Sequence, residues 1–323
     1  MNLQNIIKEI SNKLQNEEHS WWLLQAITKK TKSQLLFEDI EITEEQLSKL
    51  DEWVKKITYE HYPIQYLIGH VPFLNCEILV EPPILIPRPE TEEWCADLIS
   101  SLPAFAKASA DTRYFSHPVH PAVPGEARSE AWERANASRM GRDACMTGIR
   151  ILDMCTGSGC IAIALAKTFP EAQVAAVDIS EQALQLAQKN IEHNNVHNVE
   201  LIKSDLFVNL SDKKYNLIVS NPPYIDEALF ETLDLSVKNW EDPNALISKE
   251  GGLFLIKKII RQAPSYLQIN QELQDNNIQN LVLEIDETQG KRVVKLMQEA
   301  GAINVQIKKD LYGKDRVVCG LFK

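Results

Sequence analysis

Apolar positions along the first part of the chain return every three or four residues. Ile6, Ile7, Ile10 and Leu14 mark one such face, and Leu47, Leu50, Trp53, Val54 and Ile57 mark another. Residues 6–67 are therefore predicted to form several short amphipathic helices. Thr43, with Gln46 three residues on, predicts a capping box for a helix running to about Tyr59. The period changes near Val71. Residues 76–80 and 84–86 read as extended with Glu81-Pro82-Pro83 as the turn between them, which predicts a hairpin. After residue 150 the pattern alternates. Residues 151–154, 174–177, 199–202, 217–220 and 281–285 read as strands. Residues 160–169, 181–193 (capped by Ser180), 252–266 and 289–300 read as helices, and 305–309 with 317–321 as a closing strand pair. This predicts an α/β fold, a doubly wound and mostly parallel sheet covered on both faces.

Residues 101–148 follow neither period. They are rich in Ala, Ser, Arg, Pro and Gly, with His117 and His120 isolated, and a structureless stretch of that length inside a compact domain reads as an insertion. The domain organisation is then a helical unit at 1–70, a hairpin linker and the first helix of the following domain at 71–100, the insertion at 101–148, and the α/β domain at 149–323.

Charge narrows the partners. The 34 Lys and Arg against 45 Asp and Glu leave −11 over 323 residues. Between Leu102 and Arg150 seven basic residues face five acidic ones, so the rest carries −13. A body that acidic is poorly suited to a phosphate backbone, and no direct nucleic-acid partner is expected. The N-terminus shows no signal-peptide pattern and no apolar run reaches the ~18 residues of a membrane span. Six cysteines form no CxxC pair and have no His at ligand spacing. The expectation is a cytoplasmic, monomeric protein with reduced thiols and no metal.

Asp153-Met154-Cys155-Thr156-Gly157-Ser158-Gly159 falls where a strand turns into a helix. Glycines there let backbone approach a ligand, and the helix start offers unpaired N–H groups. Gly157 to Ala162 also fits the G-x-G-x-x-A form of a dinucleotide site, so NAD is a candidate. Three acids favour S-adenosylmethionine instead. Asp153, at the end of the first strand, can meet an ammonium group. Asp178, closing the second, can accept from both ribose hydroxyls, and Asp205, after the third, can accept from an adenine amino group. Helix capping is the plainer alternative for any one of them.

Asn221-Pro222-Pro223-Tyr224 follows the fourth strand. Two prolines stiffen the backbone and keep it extended. The Asn221 side-chain oxygen and the Pro222 carbonyl are two outward acceptors, and Tyr224 offers a ring face. They suit an –NH2 on a π system, either an amide or the exocyclic amine of a base. Taking up both N–H bonds turns the nitrogen lone pair toward an electrophile and stabilises positive charge on nitrogen.

With the glycine loop upstream, Asn-Pro-Pro-Tyr resembles two families: methyltransferases of exocyclic base amines, and the peptide chain release factor N5-glutamine methyltransferases. Pro63-Ile64-Gln65-Tyr66-Leu67-Ile68-Gly69, Phe73, Leu85-Ile86-Pro87-Arg88-Pro89-Glu90-Thr91-Glu92, and Asp310 to Val318 are similar to signatures of the second. That resemblance implies a Rossmann-like S-adenosylmethionine-dependent methyltransferase domain behind a helical domain that engages class I release factors. The expected reaction is N5-methylation of the glutamine in a Gly-Gly-Gln tripeptide. It implies that Cys155, Thr156, Gly157, Ser158, Gly159, Asp178, Leu206 and Asn221 line the cofactor site, and Asn221, Pro222, Pro223 and Tyr224 the glutamine site. Leu206 stands where the family often has a larger residue such as Trp, which predicts weaker stacking on adenine. Residues 239–246 only partly match the usual Tyr-Glu-Pro pattern. The composition of 101–148 resembles translated mobile palindromic repeats, with a new partner site as the rival reading. A non-catalytic cofactor- or release-factor-binding protein is the alternative outside enzymes.

Overall fold

The computed structural model describes residues 3–38, 40–102, 148–268 and 278–323. The predicted insertion therefore lies outside the described residues except at its two ends.

Five helices come first: α1 (Leu3–Leu14), α2 (Glu17–Thr28), α3 (Lys32–Phe37), α4 (Glu44–Glu60) and α5 (Ile64–Ile68). Ile6, Ile7 and Ile10 bury against Trp21, Leu23 and Leu24 of α2 and Leu50 and Val54 of α4, a hydrophobic cluster of its own. These are the faces the helical period marks. Thr43 Oγ1 accepts from the Gln46 amide at 3.2 Å while the Thr43 amide donates to Gln46 Oε1 at 3.0 Å, the predicted capping box. Thr31 and Gln34 repeat it at the head of α3.

A hairpin follows, though with different strands from those expected. β1 (His70–Phe73) pairs antiparallel with β2 (Cys76–Leu79), and Leu74, at φ 52°, makes the turn with Asn75. Residues 84–86 join no strand. Pro82 and Pro83 have no amide hydrogen with which to carry a ladder onward, and the Ile84 carbonyl instead accepts from the Tyr66 hydroxyl at 2.8 Å.

After α6 (Pro89–Ser101) the chain builds a seven-stranded sheet. Its strands are β3 (Arg150–Met154), β4 (Gln173–Asp178), β5 (Val199–Lys203), β6 (Leu217–Ser220), β9 (Leu281–Glu284), β10 (Ile303–Lys309) and β11 (Asp315–Leu321), in the order β10-β11-β9-β6-β3-β4-β5. β9, β6, β3, β4 and β5 run parallel, and β10 and β11 are antiparallel at one edge. Short β7 (Ile225–Asp226) and β8 (Ile247–Ser248) pair separately.

Successive strand residues point to opposite faces. Ile151, Val174, Ala176, Leu217 and Val219 pack with α6 and with α7 (Cys160–Thr168). Leu152, Met154, Val177, Ile218 and Leu283 pack with helices from the later part of the chain. In chain order, α8 (Glu181–His193) follows β4, α9 (Leu235–Trp240) and α10 (Pro243–Leu246) lie between β7 and β8, and α11 (Phe254–Gln262) and α12 (Gly290–Glu299) cover that second face. Side chains close the free edge of β2. Asn190 of α8 and Asn194, which caps its C-terminus, each exchange two hydrogen bonds with its backbone, at Leu79 and Glu77.

Residues 240–242 tie the N-terminal helices to the sheet. The Trp240 indole N–H donates to the Glu60 carbonyl at 3.0 Å, and its ring meets Tyr62 edge-on at 4.4 Å. Glu241, 3% exposed, pairs with Arg88 at 2.6 Å, and the Asp242 amide donates to the Pro83 carbonyl at 2.8 Å.

Candidate functional site

The carboxyl ends of β3, β4, β5 and β6 open into one cavity of about 390 Å³. That size suits a cofactor or small molecule. Cys155 and Gly157 line it after β3, Asp178 and Ile179 at β4, Asp205 and Leu206 after β5, and Asn221 and Pro223 after β6. Ile84 and Leu85, Asp242 to Lys249 in part, and Phe254 with Leu255 complete the wall.

The glycine loop reaches the cavity through tight local geometry. Cys155, Gly157 and Gly159 all have positive φ, at 61°, 55° and 82°. A Cβ on Gly159 would stand 3.1 Å from that of Ala187, so only glycine lets α7 approach α8 here. Asp178 joins loop to strand: Oδ2 accepts from the Gly157 amide and Oδ1 from the Ser180 amide, both at 2.9 Å. Burial raises its carboxyl above the ordinary range. Asp205 is exposed on the rim, and Leu206 is buried at φ 50°.

The structure does not bring Asp153 to the cavity wall. It is the penultimate residue of β3, fully buried beneath the loop, where Oδ2 accepts from Thr156 Oγ1 at 2.5 Å and from the Ala162 amide at 3.1 Å. Among the described residues its Oδ1 has no partner. Asp153 thus organises the loop from behind. Thr156, Ser158 and Gly159 likewise frame the loop rather than line the cavity, the Ser158 carbonyl accepting from Asn190 Nδ2 at 2.9 Å.

Burial pushes the Asp153 carboxyl up to about 7, from about 3.9 in an unfolded chain. A native group that keeps its proton longer than the unfolded one makes stability fall as pH climbs between those values. Asp153→Asn, with no charge to titrate, is expected to flatten the melting temperature against pH between about 4 and 7. A pH profile parallel to that of the parent would remove Asp153 as its source.

Asn221 is half-buried. Its Nδ2 donates to Thr91 Oγ1 at 3.1 Å, and no described residue donates to its Oδ1. Pro222 is buried and off the cavity wall, as is the partly buried Tyr224, whose hydroxyl donates to Glu284 Oε1 at 3.0 Å. Glu284 closes β9 at 1% exposure and also accepts, on Oε2, from Thr91 Oγ1 and Trp94 Nε1, each at 2.7 Å. Burial raises its carboxyl, against the pull of these three donors and of Arg316. Glu284 and Trp94 have no place among the sequence-predicted site residues, and Thr91 stands there only as part of the Leu85–Glu92 signature. The available signal was a lone acid in the apolar run Leu281-Val282-Leu283-Glu284-Ile285 at the same sheet edge.

Among the described residues no cluster of three His, Cys, Asp or Glu could hold a metal ion, and no helix is long and apolar enough to cross a membrane. The described cysteines are free, and Cys145 lies outside the described residues.

Two family profiles match the chain: PrmC N-terminal domain over residues 3–69 and Methyltransferase small domain over residues 139–279. The chain is 32% identical to the release factor glutamine methyltransferase of Thermodesulfovibrio yellowstonii, over 97% of its own length and 95% of the relative's. It is 33% identical to that of Lactococcus lactis, over 93% and 92%. A solved structure, the hMettl16 catalytic domain in complex with MAT2A 3'UTR hairpin 6, is 13% identical with a TM-score of 0.49 over 88% of this chain and 84% of its own. At that distance it carries no argument.

Proposed function

Because this chain belongs to the release factor glutamine methyltransferases, we propose that it uses S-adenosylmethionine to methylate N5 of the glutamine in the Gly-Gly-Gln tripeptide of class I peptide chain release factors. The observation that carries this reading is the presence of Asn221 on the same cavity wall as Asp178 and Asp205.

The cavity suits the cofactor by the chemistry of its donors. Asp178 keeps acceptor capacity beyond its two backbone bonds for a ribose diol, and Asp205 stands one strand further on for an adenine amine. Leu206, Ile84, Leu85 and Phe254 give the apolar surface a planar ring needs. Cys155 and Gly157 bring the loop backbone to the wall beside them. Asp153, Thr156, Ser158 and Gly159 support the site by holding that loop. S-adenosylmethionine supplies an electrophilic methyl group on a sulfonium.

The chain's own task is to hold a weak nucleophile in one orientation. In this reading Asn221 Oδ1 and the Pro222 carbonyl take the two N–H bonds of the glutamine amide. Pro222 and Pro223 keep that backbone from relaxing, and Tyr224 borders the amide with its ring. Fixing both N–H groups prevents rotation about the amide nitrogen and favours positive charge there. The helices of residues 3–68 are assigned to release-factor recognition, and the acidic balance of the body favours a protein surface over phosphate.

Mass spectrometry of a release factor incubated with the purified chain and cofactor tests the reading. One added methyl on the Gly-Gly-Gln glutamine is expected. Label transferred to a DNA or RNA base, with the factor unmodified, overturns it.

A further inference from the structure

Behind Asn-Pro-Pro-Tyr, donors from two parts of the chain converge on one buried carboxylate. Glu284 accepts from Thr91 and Trp94 of α6 on Oε2 and from Tyr224 on Oε1. An indole N–H can only donate, so Oε2 acts there as an acceptor. In the ionised carboxylate, which has lone pairs only, the Thr91 hydroxyl at the same oxygen gives its proton to Glu284. With that proton committed, Thr91 Oγ1 offers Asn221 only lone pairs, and what it meets at 3.1 Å must be the NH2 end of the Asn221 amide.

This has a chemical consequence at the cavity. A carboxamide is nearly the same shape either way round, and the two ways present opposite polarity. With NH2 inward, Oδ1 is the end left for a ligand, an acceptor. With the amide reversed, an NH2 would face the substrate's own NH2, donor against donor.

We infer that Glu284 and Thr91 are positioning residues that set which end of the Asn221 amide meets the substrate. Glu284 also anchors the other end of the tetrapeptide through Tyr224, so one carboxylate fixes both side chains. This assignment rests on the proposed function, in which Asn221 receives an N–H of the glutamine amide.

Two substitutions in the full-length chain separate orientation from packing. Thr91→Val keeps the branched shape and removes the hydroxyl, and Thr91→Ser keeps the hydroxyl and removes the methyl. Loss of one oriented buried hydrogen bond of about 1–3 kcal/mol corresponds to roughly a 5- to 150-fold change. Thr91→Val is expected to lower kcat for release-factor methylation by that factor with little change in cofactor Kd. Thr91→Ser is expected to keep most of kcat, even where its melting temperature falls as far. Turnover should thus follow the hydroxyl.

A second readout needs no substrate. In protein labelled with 15N at asparagine, hydrogen exchange of the Asn221 side-chain amide should be slow in the parent and in Thr91→Ser, and fast in Thr91→Val. Turnover that tracks melting temperature through both variants overturns the relay, as does unchanged kcat in Thr91→Val or equal Asn221 exchange in all three proteins. A parent that leaves the release factor unmethylated overturns the functional reading instead, and the exchange measurement still decides the orientation of Asn221.

Discussion

Replacing Asn221 by alanine is expected to lower turnover by roughly 10²–10³ while leaving most of the cofactor affinity in place, by analogy with removal of one oxyanion-hole group. The asymmetry follows from where the side chain sits. The wall that would take the cofactor is built largely by the ends of β3, β4 and β5 and by residues 242–255, which the substitution does not touch. What disappears is an acceptor whose orientation is fixed from behind through Thr91. Without it the glutamine nitrogen regains rotation and loses a partner for the charge it develops. The cost should therefore appear in kcat rather than in binding. Single-turnover kinetics together with calorimetric titration of the cofactor check this. Turnover within twofold of the parent would take Asn221 off the reaction path.

The second large effect is expected on the fold. Gly252 sits at φ +78°, and a Cβ there would stand 2.8 Å from the Tyr224 carbonyl carbon and closer still to its oxygen and to the Gln289 side-chain amide. None of these neighbours is free to move. The Tyr224 carbonyl accepts from Gln289 Nε2 at 2.9 Å, and the same amide donates to the Gly251 carbonyl at 3.1 Å. Gly252→Ala adds the left-handed backbone cost of about 1–2 kcal/mol to an overpacking cost of about 1–3 kcal/mol. A loss of about 2–5 kcal/mol in unfolding free energy is expected. Because the clash is on Tyr224 itself, any protein that still folds should also turn over poorly. Denaturant titration reads the first effect, and a variant within ~0.5 kcal/mol of the parent, the range of ordinary surface substitutions, would contradict it.

The two predictions meet at a motif that was plain in the sequence. Asn221 to Tyr224 and the glycine loop are contiguous, and their chemistry depends on neighbours one or two positions away. The capping box at Thr43 and the continuous apolar runs of β3, β4, β6 and β9, buried on both faces, were legible for the same reason: each is a local pattern. Other features depend on distant parts of the chain. Glu284 meets Thr91 and Trp94 across about 190 positions, so nothing local marks the three as partners. Asp153 shows how strand position alone misleads. Asp178 ends its strand and reaches the cavity, whereas Asp153, one residue short of its strand end, is held beneath the loop. The hairpin pairs 70–73 rather than 84–86 with 76–79, because a two-residue turn at Leu74 and Asn75 lays His70–Phe73 alongside, whereas the Ile84 amide donates to the Glu81 carbonyl at 3.1 Å and closes a turn instead.

The two ends of the predicted insertion also have a fixed place. α6 carries Thr91 to the carboxyl edge of the sheet and is capped by Leu102, about 16 Å further along its axis at 1.5 Å per residue. Gly148 stands two residues before β3, at the amino edge. The chain therefore departs and returns on the side of the molecule away from Asn221. This junction is the natural splice point for a fluorescent reporter or affinity handle: cargo added there would hang from the floor of the sheet and leave the approach of a release factor to the opposite rim clear.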